Sequence, residues 1–376
     1  MKPRSLRAAA ALALAAVVAA GATAARASGG AAHDPQPVLA YYYIWFDTRS
    51  WERAKTDYPL LGRYSSDDTR VLRRHVEWAQ RAGIDGFIVS WKSTPVLNRR
   101  LSALVRIADE LHFKLALIYQ GLDFHRNPLP AARVAADLDV FVRRYARDPA
   151  FHIYDKPLVI WSGTWKFTAQ DVAAVTQPLR RDLLVLASEK NVAGFDRLAP
   201  SVDGDAYYWS SADPVRFPSY GQKLAAMSRA VHTRGGLWVA PAAPGFDARL
   251  IGGHQVVERR DGRTLWEEMD AAAASSPDAI GLISWNEFSE NSHVEPSRRY
   301  GTRYLEVLQA IHRAALGGRS GGAEFDSSEP VSGIGYALPF FTGVGGVVLA
   351  GALVVVSRGS RRRGALAALP TAKESK

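Results

Sequence analysis

The sequence predicts an α/β protein, a (β/α)8 TIM barrel, on three observations. Eight short apolar runs recur along the chain, most of them separated by stretches with helical spacing. Most of the runs are apolar throughout instead of alternating, as strands covered on both faces are. The last run, Ala279 to Ser284, breaks at once into Trp285-Asn286-Glu287-Phe288-Ser289-Glu290. Acids that collect where a strand ends are the mark of the active rim of such a barrel.

The elements follow in order. Residues 1–27 read as an export signal: Lys2, Arg4 and Arg7 precede the small apolar run Ala8 to Ala20, and Ala25-Arg26-Ala27 is a cleavage-type triplet. Strands are expected at Val38–Tyr43, Asp85–Trp91, Lys114–Tyr119, Pro157–Trp161, Leu183–Ser188, Asp205–Trp209, Leu237–Ala240 and Ile280–Ser284. Helices are expected at Thr69–Ala82, where Gly83 supplies a stop signal, and at Leu97–Leu111 and Ala132–Ala146. Further helices are expected at Ser219–Thr233, Arg263–Ala274 and Tyr300–Leu316. No internal repeat divides this body, and residues 28–316, roughly 290 of them, suit one barrel.

Beyond the body, residues 317–330 are rich in Gly, Ser, Asp and Glu and read as a flexible stalk. Residues 331–356 are apolar apart from isolated Ser and Thr, and long enough to span a bilayer. Arg358, Arg361, Arg362 and Arg363 follow, so residues 357–376 are expected as a basic cytoplasmic tail. The body is thus expected at the extracellular face of the cell membrane, monomeric, on a single anchor. Leu338-Pro339-Phe340-Phe341-Thr342-Gly343 resembles a sortase sorting signal with one residue too many, which ranks wall attachment below membrane anchoring.

Charge narrows the function. Of the net +10, four charges sit in residues 1–27 and five in residues 357–376, which leaves one for residues 28–356. A body so close to neutral gives no support to nucleic-acid binding. There is no cysteine, so neither disulfides nor thiol chemistry enter. The histidines are scattered without metal-type spacing, and no metal or cofactor is expected. Gly-x-Ser-x-Gly, a Walker loop and Gly-x-Gly-x-x-Gly after the first strand are all missing. Two glutamates three residues apart, Glu287 and Glu290, make glycoside hydrolysis the economical reaction class.

The strand ends are rich in aromatic residues as well as acids. They carry Tyr42, Tyr43 and Trp45, then Trp91, Gln120, Tyr208 and Trp209, and finally Asn286. Trp and Tyr stack on the C–H faces of sugars, and fixed polar groups meet the hydroxyls, so this set suits a carbohydrate cleft.

At these residues the sequence resembles glycoside hydrolase family 99, the endo-α-mannosidases and endo-α-mannanases, and more distantly the family 71 α-1,3-glucanases. The resemblance runs from about Val38 to Leu308. Tyr41-Tyr42-Tyr43-Ile44-Trp45-Phe46 resembles the family's Tyr-Tyr-x-Trp opening, and Gly83 to Trp91 its second strand. Asp203-Gly204 with Tyr208, and Pro244-Gly245-Phe246-Asp247, resemble the sixth and seventh. The most specific element is Ser284 to Glu290 followed by Val294-Glu295-Pro296. It is similar to the family's Phe-Asn-Glu-Trp-His-Glu-Gly-Thr…Ile-Glu-Pro. The resemblance implies a retaining mechanism. Glu287 would act as base on the sugar 2-hydroxyl, giving a 1,2-anhydro sugar, and Glu290 as general acid and then base. It also implies that Tyr208, Trp91 and one of Tyr42 or Tyr43 line the substrate subsites, alongside Trp45, Gln120, Trp209, Asn286 and Glu295. Two departures stand out. Phe288-Ser289-Glu290-Asn291-Ser292 replaces Trp-His-Glu-Gly-Thr, and Tyr119-Gln120 stands where the family tends to place an acid. A non-catalytic glycan-binding protein on the same scaffold is the alternative reading.

Overall fold

A computed structural model describes residues 36–316. Eight parallel strands form the barrel: β1 (Val38–Tyr43), β2 (Gly86–Trp91), β3 (Lys114–Gln120), β4 (Leu158–Ser162), β5 (Leu184–Leu186), β6 (Gly204–Ala206), β7 (Leu237–Ala242) and, after an intervening hairpin, β10 (Ala279–Leu282). Their order is β5-β4-β3-β2-β1-β10-β7-β6. The ring closes where Ala187 bridges Asp205 in parallel sense and donates its N–H to Gly204 at 3.0 Å. With no free edge, every barrel strand is paired on both sides.

Eight helices cover the barrel: α1 (Thr69–Arg81), α2 (Pro95–Glu110), α3 (Ala131–Tyr145), α4 (Ala169–Thr176), α5 (Val192–Leu198), α6 (Tyr220–Thr233), α7 (Arg263–Ala274) and α8 (Arg303–Leu316). Local signals account for their starts. The Asp68 side chain accepts from the Arg70 N–H, and the Thr94 hydroxyl accepts from Leu97 with Pro95 at the first helical position. Two of these helices, α4 and α5, were not marked by the sequence pattern. They are short, and eight or fewer residues give too few turns for an apolar stripe to show.

Strand alternation builds two apolar layers. Leu39, Tyr41, Ile88, Ala116, Ile118, Leu158, Ile160, Leu186, Ala206 and Val239 fill the barrel interior. Their neighbours Ala40, Tyr42, Phe87, Val89, Trp91, Leu117, Tyr119 and Trp161 face the helices. Which aromatic residue can reach the mouth is therefore decided by the parity of its position.

The last barrel strand ends at Leu282, two residues short of the expected Ser284, because the Ser284 N–H donates to Ser292 at 2.7 Å instead of extending the sheet. The sixth stops at Ala206, and its residues to Trp209 leave for the rim. A small antiparallel hairpin that the sequence reading did not anticipate, β8 (Phe246–Asp247) with β9 (Val256–Val257), lies between β7 and α7. The export signal at 1–27, the stalk at 317–330, the span at 331–356 and the tail at 357–376 lie outside the described residues. Among the described residues no helix is long and apolar enough to cross a membrane.

Candidate active site

The arm that follows β10 is shaped by bonds among its own residues. The Ser284 hydroxyl accepts from the Glu287 N–H at 2.8 Å, and Glu295 returns its N–H to Trp285 at 2.8 Å. Trp285 donates to Tyr41 at 2.8 Å, which ties the arm to β1. Phe288 is buried in an aromatic cluster with Tyr43, Phe46, Trp51 and Tyr64, and stacks on His293 at 4.1 Å. Burial of that ring presses the arm onto the loop after β1 and leaves Glu287 and Glu290 on either side of it.

Glu287 is 9% exposed. Burial raises its pKa, while the Ser289 N–H at 3.1 Å and the Lys55 charge hold it back. Glu290 is pushed up to about 8 by burial and by the charge of Glu287, with Arg126 opposing. Two carboxyls this close cannot both ionise cheaply, so the pair shares its protons unequally. Glu290, with no N–H donor on its carboxyl among the described residues, is the one that keeps a proton near neutrality.

Two tyrosines complete the centre. The hydroxyls of Tyr43 and Tyr208 are hydrogen-bonded to each other. Burial first, and then the charges of Glu287 and Glu290 among other neighbours, raise both phenols well above their ordinary value, so both remain protonated. Trp45 stacks on Tyr43 at 4.3 Å and is 42% exposed, an open aromatic face beside the carboxyls. Gln120 takes the inward position above Ile118 and donates to Ser90 at 3.2 Å. Tyr43, Trp45, Gln120 and Tyr208 are thus gathered at the mouth with the two acids.

The other expected contacts are not at the mouth. Tyr42 faces α1 and bonds His75 Nδ1 at 2.9 Å, since its position has the parity of the outer layer. Trp91, of the same parity, is fully buried against Phe141 and donates to Asn98 at 3.0 Å. Trp209 turns outward onto Phe217 and Tyr220. Asn286 and Glu295 are buried beneath the arm. Asn286 clasps the Tyr43 backbone twice, accepting its N–H at 2.9 Å and donating to its carbonyl at 3.0 Å. Glu295 accepts from the Tyr64 hydroxyl at 2.9 Å and lies 3.1 Å from His75 Nε2. Tyr42, Asn286 and Glu295 thus lie behind the arm, and Trp91 and Trp209 pack toward the helical shell.

Sequence reasoning passed over Tyr64, His75, Lys55 and Arg126. The first two belong to a buried polar chain, Tyr42–His75–Glu295–Tyr64–Asn286, that no local pattern reveals. The last two sit in long loops after β1 and β3 and meet the acids only in three dimensions. Among the described residues no group of three or more His, Asp or Glu side chains is arranged to hold a metal ion.

Residues 48–310 match the sequence profile of glycosyl hydrolase family 99. A Mus musculus glycoprotein endo-alpha-1,2-mannosidase-like protein is 24% identical over 286 residues, 69% of this chain and 62% of the mouse protein. The Rattus norvegicus glycoprotein endo-alpha-1,2-mannosidase is 21% identical over 274 residues, 66% of this chain and 59% of the rat protein. The chain therefore covers less than two thirds of the length of these relatives. Among solved structures, the GH99 endo-alpha-mannosidase from Bacteriodes thetaiotaomicron has a TM-score of 0.66 at 19% identity, covering 75% of this chain and 98% of that one. A glycoside hydrolase-like protein has a TM-score of 0.59 at 15% identity, covering 75% of this chain and 95% of that one. These two likenesses are of fold.

The buried chain behind the mouth is testable. Tyr64→Phe removes a hydroxyl donor to Glu295 Oε2 and an acceptor of Asn286. Stability should fall by about 1–3 kcal/mol, the cost of an unsatisfied buried polar group. It is read from the urea midpoint at constant slope. An unchanged midpoint would show that the chain carries no load.

Proposed function

The chain belongs to glycosyl hydrolase family 99, and from that premise we propose that it hydrolyses α-linked mannose glycans with retention, using Glu287 and Glu290. The observation that carries this reading is the inequality of the pair. Glu290 is raised to about 8 and keeps a proton, whereas Glu287 has the Ser289 N–H and Lys55 to stabilise its charge. One acid and one base, side by side, are what the two-step reaction needs.

In the first step the Glu287 carboxylate takes the proton of the sugar 2-hydroxyl. That oxygen closes on the anomeric carbon to form a 1,2-anhydro sugar. Glu290 delivers its proton to the departing glycosidic oxygen. In the second step Glu290, now a carboxylate, takes a proton from water, which opens the three-membered ring at the anomeric carbon. Glu287 returns its proton to the 2-oxygen. Two inversions give net retention, and both carboxyls end as they began. The Tyr43 and Tyr208 hydroxyls are positioned to hydrogen-bond to sugar oxygens, with Trp45 as a stacking face. Mannose as the sugar is supported by the similarity to endo-alpha-mannosidases and endo-alpha-1,2-mannosidase-like proteins.

Glu287→Gln and Glu290→Gln should each lower turnover of α-mannan by about 100- to 10,000-fold with the fold intact by circular dichroism. Saturable binding with wild-type-like turnover in either variant would sink the assignment. The alternative, a glycan binder, predicts binding and no product from the wild type.

The rate should also report the acid. Below the Glu290 value the proton is present, and as pH rises through about 8 it is lost, so kcat/KM, which reports the groups of the free protein, should fall along a single basic limb there. A basic limb in the ordinary carboxylate range would overturn the role given to Glu290.

We also propose export through residues 1–27 and retention by residues 331–356. The full chain should sediment with membranes and begin at Ser28, and a chain ending at residue 330 should be released. Soluble recovery of the full chain would refute the anchor.

A further inference from the structure

The β8–β9 hairpin grips the catalytic arm from the side opposite β1. The Asp247 N–H on β8 donates to the Glu290 carbonyl at 2.7 Å. Just past β9, Arg259 reaches the residues that follow Glu290. Its Nη2 donates to the carbonyls of Asn291 at 2.9 Å and His293 at 2.7 Å, and its Nε donates to Asn291 Oδ1 at 3.2 Å. The guanidinium lies over the rings of Tyr300 and Tyr304, 4.4 and 4.3 Å from their centroids. Its stem runs beside Gly245, where φ is +151° and a Cβ would stand 2.6 Å from Arg259 Cγ. Only glycine admits the side chain along that path.

Arg259 is 4% exposed, and no carboxylate lies within ion-pair distance of it among the described residues. A buried cation compensated by carbonyls, the Asn291 amide oxygen, the side chains of Tyr300 and Tyr304 and the charge of Asp57 is costly where an apolar side chain of the same size would pack. What the guanidinium adds that an apolar chain lacks is a fixed set of donors to the backbone on the far side of Glu290. We propose that Arg259 is a positioning residue for the reaction: through Asn291 and His293, and with Asp247 holding the Glu290 carbonyl, it sets the place of the Glu290 carboxyl against Glu287.

This inference rests on the reading of Glu290 as the acid, and its test has a readout that does not need turnover. Four groups bear on the Glu290 carboxyl. Glu287 on the same arm raises it and Arg126 from the loop after β3 lowers it, and its charge is felt by the Tyr43 and Tyr208 phenols. With the arm released, the carboxyl gains water and draws away from Glu287, so its titration should move down from about 8.

The experiment compares wild type, Arg259→Lys and Arg259→Met in the full chain. On α-mannan, Arg259→Met should lower kcat on the order of 100-fold with KM unchanged. The basic limb should shift to lower pH, and Arg259→Lys should recover part of both effects. In parallel, carbon-13 labelled glutamate carboxyls are titrated by NMR, with Glu290→Gln to assign the signal. The Glu290 signal should titrate at lower pH in Arg259→Met than in wild type. If wild type cleaves no glycan, the hydrolase reading falls by itself and the carboxyl titration still decides the role of Arg259. An unmoved Glu290 titration in a folded Arg259→Met, or a kcat loss matched by KM, overturns the proposal. Should Arg259→Met fail to fold, Arg259→Lys, which keeps the charge and loses the fork of donors to Asn291 and His293, carries the same two readouts, and an unmoved Glu290 titration there overturns the proposal.

Discussion

The structure depends on holding a buried carboxyl and a half-buried one side by side at the end of a barrel strand. Desolvation raises both, and the charge of one raises the other further. A site of this kind is stable only if one carboxyl holds a proton and the other has donors. The chain meets that condition sparingly. It gives Glu287 the backbone N–H and the hydroxyl of Ser289 and a lysine from the loop after β1, and gives Glu290 an arginine from another loop. A strong ion pair to Glu290 would flatten the difference between them and with it the division of labour.

Such a pair also needs a rigid seat, and the seat is polar. The chain from Tyr42 through His75, Glu295, Tyr64 and Asn286 runs from the helical shell to the backbone of Tyr43. Each member is buried, so each bond stands where water cannot substitute for it. The chain fixes the end of β1 relative to the arm after β10. Tyr43, which meets Tyr208 above the carboxyls, is thereby held by its own main chain and not only by packing.

Most of the fold was legible in the sequence because it is written in short-range patterns. Eight apolar runs, helical spacing between most of them, and acids at the last strand end all survive into the structure. What was not legible is orientation. A strand buried on both faces is apolar at every position, so the pattern does not say which side chains face the mouth. Tyr42 and Tyr43 are adjacent and alike, yet one holds His75 in the shell and the other meets Tyr208 at the mouth. Trp91 and Gln120 divide in the same way. The short helices α4 and α5 and the two-residue strands β8 and β9 lie below the length at which periodicity can be read. Lys55, Arg126 and Arg259 were hidden for a different reason: their meaning comes from contacts across the fold.

The departures from the family-like motif make sense on the same grounds. Where the family has Gly after the second glutamate, this chain has Asn291, and its φ is +51°. Asparagine is the side chain that best tolerates that left-handed conformation, so the backbone turn is kept. Its amide oxygen then gives Arg259 and Tyr300 an acceptor that glycine lacks. Ser292 retains a hydroxyl where the family has Thr, and meets the Ser284 hydroxyl at 3.3 Å. Phe288 in place of Trp keeps an aromatic ring pointing into the cluster behind the arm. Ser289 in place of His leaves the backbone N–H that Glu287 accepts. Each of these four changes therefore falls on a position whose backbone or buried face matters to the arm. The altered motif alters how the arm is held, and the two carboxyls are left as they were.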